Sequence, residues 1–390
     1  MLFTVVNEVR NRYPDAVFYY LPLDYYRENC FDNMRDYRFY FVIDDRAGED
    51  FPAKAGVLNH AVRRARILGI FYRANKRGKV YRLSRLWNKL DVLIDISGYA
   101  LTSRFGISSI NRVLRMLNTA KAHGLKTIML PQSYGPFDFP ENVCRDIGAA
   151  LSGVDLLFSR EEEGIRELRE RCGVTNAVLS PDIVIQSREI DLENIFSRKP
   201  HLDYPTLHTM GNVGIIPNTE TVRNGKEAFV LDIYLEIIKT IRKGGKEVYI
   251  FRHSDDQILC EKIYNMVKDD EHCHLIIEEI NSISFGPFLR QFDFVIASRF
   301  HSVVHAYREG VPALVLGWAV KYQNLTALMG QEAYAFDLSS GNRDNKRMIC
   351  KAVNTLTDRA RDESDTIRMK REELLKSSCF DMCRDILDSL

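Results

Sequence analysis

The stretch FDFVIASRFHSVVHAYREGVPALVLGWAVKYQ, residues 292–323, decides the fold. Phe294 to Ala297 is a short unbroken apolar run, the mark of a strand buried on both faces. Ser302 to Glu309 reads as a helix, which Gly310 and Pro312 stop. Ala313 to Leu316 is a second apolar run. Working outward, the same rhythm fills the second half. Strands are expected at Val213 to Ile216, Glu247 to Phe251 and Leu275 to Glu278, and helices at Lys226 to Arg242, Asp255 to Val267 and Lys321 to Met329. The first half runs the rhythm earlier, with strands expected at 16–23, 39–43, 92–96, 127–130 and 156–158 and helices at 109–122 and 160–171.

Strands alternating with helices imply parallel sheets covered on both faces. The expected architecture is α/β, with two Rossmann-like, doubly wound lobes. The lobes are placed at 1–185 and 211–340, with a linker at 186–210 and a helical tail at 341–390. Ligands of such sheets bind outside the carboxyl ends of the strands. Leu2, Val5, Val6 and Val9 form a helical stripe where such a lobe normally opens with a strand. The first strand of the N-terminal lobe is therefore expected to be missing, with the true start upstream of Met1.

A length of 390 residues, 45% hydrophobic and 27% charged, describes an ordinary globular chain of two domains. The apolar run Val311 to Val320 falls far short of the roughly 20 residues needed to span a bilayer. No secretory signal follows Met1, so a cytoplasmic protein is expected. The eight cysteines are scattered and read as free thiols. No metal site is expected, because His272, Cys273 and His274 on one strand would point to opposite faces. A net charge of +1 gives no pull towards nucleic acid. Arg63 to Lys89, however, holds ten Lys or Arg residues and no Asp or Glu, interleaved with Phe71, Tyr72, Tyr81 and Trp87. That mixture suits an anionic membrane surface, and equally a solvated helix and loop.

The strand ends carry the chemistry. Ser97-Gly98-Tyr99 follows one strand, Pro131-Gln132-Ser133-Tyr134-Gly135-Pro136 the next, and Ser159-Arg160 a third. In the second lobe a strand passes Ser298-Arg299-Phe300-His301-Ser302 into a helix, and Lys321 lies after the following strand. Backbone N–H groups at the helix start attract an anion, and a guanidinium grips one bidentately. The plainer alternatives are that His301 merely caps the helix and that Lys321 is a solvated surface residue.

Residues 298–323 resemble the signature of the polysaccharide pyruvyl transferases, in which S-R-x-H, a helix, G-x-P and a lysine follow a strand. LPQSYGPF (130–137), FSREEEGIREL (158–168) and LSPDIVI (179–185) are similar to that family's segments in the same order. The resemblance implies a glycosyltransferase-B-like fold and transfer of pyruvate, as a ketal, from phosphoenolpyruvate to a sugar of a cell-surface polysaccharide or its lipid-linked precursor. It implies that Arg160, Arg299, His301, Ser302 and Lys321 bind the donor, and that His301, as general acid or base, Lys321 and Arg160 are the catalytic residues. Gln132, Ser133, Tyr134, Ser97 and Gly98 are the acceptor-side candidates. No cofactor or metal is needed on this reading. The sequence departs from the family where an arginine is often found: Ile216 is followed by Pro217-Asn218, and either Arg252-His253 or Arg223 could substitute. The rival readings are a nucleotide-sugar transferase or epimerase of the same fold, and an inactive saccharide-binding relative.

Overall fold

A computed structural model describes residues 1–22, 36–45, 79–207, 211–317, 320–338 and 344–390. The chain forms two compact units. One comprises Met1–Ile183, Ser187–Pro200 and Ser378–Leu390; the other comprises Val184–Gln186 and His201–Ser377.

The first unit opens on helix α1 (Leu2–Arg12), whose Val5, Val6 and Val9 are buried as the stripe predicts. Strands β1 (Tyr19–Tyr20), β2 (Tyr40–Ile43) and β3 (Val80–Arg82) form one parallel sheet in that order. Strands β4 (Val92–Asp95), β5 (Lys126–Gln132), β6 (Leu156–Ser159) and β7 (Ala177–Leu179) form another, again all parallel. Helices α2 (Ile107–Ala122), α3 (Glu141–Leu151) and α4 (Glu162–Cys172) bury Ile110, Ile147 and Leu168 in the core of this second sheet. Each buried aliphatic side chain contributes about 1.5–3 kcal/mol. The last helix of the chain, Cys379–Leu387, belongs to this unit, where Cys379 and Cys383 are buried.

The second unit holds one six-stranded parallel sheet in the order β10-β9-β8-β11-β12-β13. These are Asn212–Ile216 (β8), Glu247–Phe251 (β9), Cys273–Ile276 (β10), Phe294–Ala297 (β11), Ala313–Gly317 (β12) and Ala335–Asp337 (β13). Every residue of β8, β11 and β12 is buried, which is why they read as unbroken apolar runs rather than alternating ones. The helices are α5 (Glu227–Lys243), α6 (Gln257–Asn265), α7 (Phe300–Arg308), α8 (Val320–Leu328) and α9 (Asp344–Leu375). From β8 the chain winds to β9 and β10 on one side, then returns to β11, β12 and β13 on the other. The crevice at the carboxyl ends of β8 and β11 is thus the topological switch point.

Three short strands escaped the periodicity. β3, β7 and β13 are three residues each and carry too few apolar side chains to register. Strand β10 begins two residues before the expected Leu275, with Cys273 as its buried anchor. The basic run reads differently as well. Residues 63–78, including Phe71 and Tyr72, lie outside the described residues. Of the remainder, Val80 to Arg82 is strand, and Leu83, Leu86 and Trp87 pack into a core with Val42 and Leu125. Trp87 is therefore an interior ring, not an interfacial one. Among the described residues no helix is long and apolar enough to cross a membrane.

Candidate functional site

Two groups of strand-end residues form, one in each unit. In the first unit, β4, β5 and β6 deliver their loops to the same sheet end. Arg160 follows β6, and its guanidinium turns inward: Nη1 donates to Asp182 Oδ2 at 2.8 Å, and Nη2 to Gly98 O at 3.0 Å and Ser133 Oγ at 2.8 Å. Ser133 Oγ in turn donates to Glu161 Oε1 at 2.9 Å. The Arg160 side chain is only 6% exposed, so it clasps three loops together. Gly98 sits at φ +75°, a left-handed conformation that spares glycine alone the Cβ penalty. That conformation turns its carbonyl to Arg160 and to the Ser133 N–H.

Gln132 is fully buried, and its Oε1 accepts from Ser97 Oγ at 3.1 Å. The Gln132 amide nitrogen and the Tyr134 hydroxyl approach one another, but their geometry falls short of a directed hydrogen bond, and both atoms are sealed from solvent. Burial, with Asp95 nearby, pushes the Tyr134 phenol well above its ordinary pKa. Gln132 and Tyr134 thus back the loop from beneath, and Ser97 and Ser133 are the partly exposed side chains of the group.

In the second unit the residues gather around Ser298, which is fully buried at the end of β11. Its carbonyl accepts from Asn218 Nδ2 at 3.1 Å and from Tyr322 Oη at 2.9 Å, and its hydroxyl meets Tyr234 Oη at 2.6 Å. Tyr322 packs against Gly317, where a Cβ would come within 2.6 Å of the ring. These contacts fix Arg299, the N-cap of α7, in extended backbone. Arg299 Nε donates to Asp256 Oδ2, and Asp256 also accepts from the Thr219 N–H at 2.9 Å and hydroxyl at 2.8 Å. Burial alone would raise the Asp256 carboxyl. The bonds from Arg299 and Thr219 outweigh it and hold the group below the usual carboxylate range.

The two terminal nitrogens of Arg299 carry no bond among the described residues, and its side chain is 28% exposed. No side chain caps the first turn of α7. His301 is exposed on that turn, its ring 5.7 Å from Phe300. Lys321 Nζ lies 5.1 Å over the centroid of the same Phe300 ring. Ser302 is buried and meets His253 Nδ1 at 2.8 Å. The fold thus brings Arg299, His301, Ser302 and Lys321 together, with Trp318 and Ala319 outside the described residues.

A family model for polysaccharide pyruvyl transferase matches residues 1–319. The chain belongs to the polysaccharide pyruvyl transferase family. Its fold is glycosyltransferase-B-like. UDP-GlcNAc 2-epimerase from Neisseria meningitidis bound to UDP-GlcNAc is similar over 90% of this chain and 91% of that one, with TM-score 0.53 and 11% identity. The UDP-GlcNAc 2-epimerase from Methanocaldococcus jannaschii matches over 82% and 85%, at TM-score 0.49 and 14% identity. S. aureus MnaA in its UDP co-structure matches over 90% of each chain, at TM-score 0.48 and 12% identity.

After β8, where the sequence reading looked for an arginine, Pro217-Asn218 stand; Asn218 Oδ1 accepts from the Glu220 N–H at 3.0 Å, capping the short helix Thr219–Asn224, and its amide ties that helix to Ser298. Arg223 is 71% exposed and paired with Glu220, away from this group. Arg252 reaches Glu279 at 3.4 Å, and only His253 of that pair meets the α7 start. Sequence reasoning missed Asp256 and Tyr322. The one legible signal was Asp256's place immediately before α6, at a strand's carboxyl end. His272 and His274 both bond Glu247, at 2.7 and 2.8 Å, and Cys273 between them points into the core.

Proposed function

We propose that this chain transfers pyruvate from phosphoenolpyruvate to a saccharide as a ketal. The observation that carries this reading is the Arg299 fork, held at Nε by a buried carboxylate with its terminal nitrogens uncommitted, at the switch point and beside an uncapped helix start. A compact dianion fits such a site better than a nucleotide does, because grip comes from charge-assisted hydrogen bonds and not from a base pocket.

On this reading Arg299, the backbone N–H groups of α7's first turn, that of Ser302 among them, and Lys321 hold the donor's carboxylate and phosphate, while the Ser302 hydroxyl stays on His253. His301, as imidazolium, protonates the donor's methylene carbon, and the adjacent carbon becomes electrophilic. A sugar hydroxyl adds there, forming the first C–O bond and passing its proton to the now neutral His301. The bond to phosphate breaks, phosphate leaves, and a second hydroxyl closes the ketal, its proton passing to the phosphate. Arg299 and Lys321 stabilise the developing charge, so the mechanism calls on no metal or cofactor. The acceptor is assigned to the first unit's strand-end loops, where Ser97 and Ser133 are the partly exposed side chains and Gly98 sets the turn beneath them. Gln132 and Tyr134 stiffen these loops, and Arg160 positions them through its inward bonds.

The test is phosphate release from phosphoenolpyruvate with candidate saccharides, beside a thermal-shift panel of phosphoenolpyruvate and nucleotide sugars. Selective stabilisation by a nucleotide sugar would replace this reading with a glycosyltransferase or epimerase. His301→Ala lowers turnover by about 10²–10⁴-fold with the fold retained; activity within a few-fold of wild type removes His301 from the mechanism. The proposal includes a cytoplasmic enzyme working on a lipid-linked saccharide, with the basic residues of 63–89 against anionic lipid. Vesicle co-sedimentation that ignores salt and anionic lipid content refutes that part.

A further inference from the structure

His253 lies early in the loop after β9, and its ring faces the same helix start as Arg299. Nδ1 lies 2.8 Å from Ser302 Oγ. Ser302 is fully buried and its hydroxyl meets no other acceptor among the described residues, so its proton goes to Nδ1. The ring's own proton is thereby placed on Nε2. That atom has no partner among the described residues and is not sealed from solvent. The ring is clamped edge-on by Phe285 at 4.5 Å and lies 6.1 Å from the His305 ring.

The groups facing it are His301 and His305 on α7, Arg299 at the helix cap and Asp256 on its own loop. Burial, then the positive neighbours His301 and Arg299, lower the His253 pKa to about 4, with Asp256 opposing. His305 behind it is also pushed well below the ordinary value by burial and by His253. At neutral pH this imidazole is therefore uncharged, while His301 stands exposed on the same helix turn.

We propose that His253 is a donor-binding residue whose Nε2–H hydrogen-bonds an anionic oxygen of phosphoenolpyruvate beside the Arg299 fork. The inference rests on the donor reading given above. A neutral N–H adds direction without adding a further cation to Arg299, Lys321 and His301, and it does not compete with His301 for the transferred proton.

The conservative pair of variants separates binding from mere packing. His253→Asn keeps an amide where Nδ1 meets Ser302 and removes the atom at Nε2. His253→Gln carries an amide N–H out to the Nε2 position. With the full chain and phosphoenolpyruvate as the probe, His253→Asn weakens binding about 10- to 100-fold, and His253→Gln recovers most of the loss. Proton NMR of the wild-type chain gives a second measure. The His253 Cε1–H resonance stays at its neutral position from about pH 5.5 to 8 and moves when phosphoenolpyruvate is added. Unchanged binding by His253→Asn, or a resonance indifferent to a ligand that stabilises the wild type, overturns the role of His253 and leaves the donor reading standing. If phosphoenolpyruvate stabilises neither wild type nor variants, the donor reading falls and this inference falls with it.

Discussion

Arg160 and Arg299 occupy the same local position. Each follows a serine at the end of a parallel strand and precedes a helix. Arg160 meets a carboxylate, a carbonyl and a hydroxyl, and is 6% exposed. Among the described residues Arg299 meets one carboxylate, on Nε alone, and it is 28% exposed. The motif thus sets where a guanidinium stands, and the surrounding loops decide whether it becomes a clasp or a grip. In the first unit Gly98, Ser133 and Asp182 close around it. In the second, Asn218 and Tyr322 bind Ser298 instead and leave the arginine's outer edge open.

The largest effect should come from the clasp. Arg160→Met leaves Asp182 and the Ser133 loop without their buried partner, at a cost of about 3–5 kcal/mol. For a unit of this size that is a fall in melting temperature on the order of 10 °C. A fall of a degree or two with activity abolished would reverse the comparison and make Arg160 the ligand grip. Next is Arg299→Lys, which keeps the charge and loses the fork. Turnover measured as phosphate release should drop about 100-fold, equivalent to roughly 2.7 kcal/mol, with little change in melting temperature. Near-wild-type turnover would break the comparison from the other side.

The smallest effect sharpens it. Asp256→Asn should cost about 1–2 kcal/mol at neutral pH, discounted because Arg299 is partly exposed. The Asp256 carboxyl titrates lower in the folded chain than in the unfolded one. Its contribution is therefore complete above the unfolded value of about 3.9 and is lost as pH falls through the folded value. In denaturant unfolding the gap between wild type and variant should be constant above about pH 5 and shrink as the pH is lowered through and below the unfolded value. A constant gap across that range would mean that Asp256 does not hold Arg299 in its charged form.

Most of the fold was legible because buried parallel strands and amphipathic helices write their period locally. The run Phe294 to Leu316 and the stripe Leu2 to Val9 both appear where their periods place them. The misses were short. β3, β7 and β13 depend on a neighbouring strand's hydrogen bonds more than on their own side chains. Trp87 was misread for a related reason: basic neighbours describe its surroundings along the chain, whereas its packing partners are Val42 and Leu125.

By itself the sequence determined that two alternating α/β halves exist, that each ends a strand on Ser-Arg, and that His301 begins a helix. These features are local, written within a few residues by period and by turn chemistry. Tertiary structure alone decided which arginine is closed in and which stays open, and which histidine is neutral. The deciding partners come from far along the chain: Asp182 is 22 residues from Arg160, Asp256 is 43 from Arg299, and His253 is 49 from Ser302. Burial and pairing at such separations are set by how the strands order themselves in the sheet, and no short window of sequence contains that order.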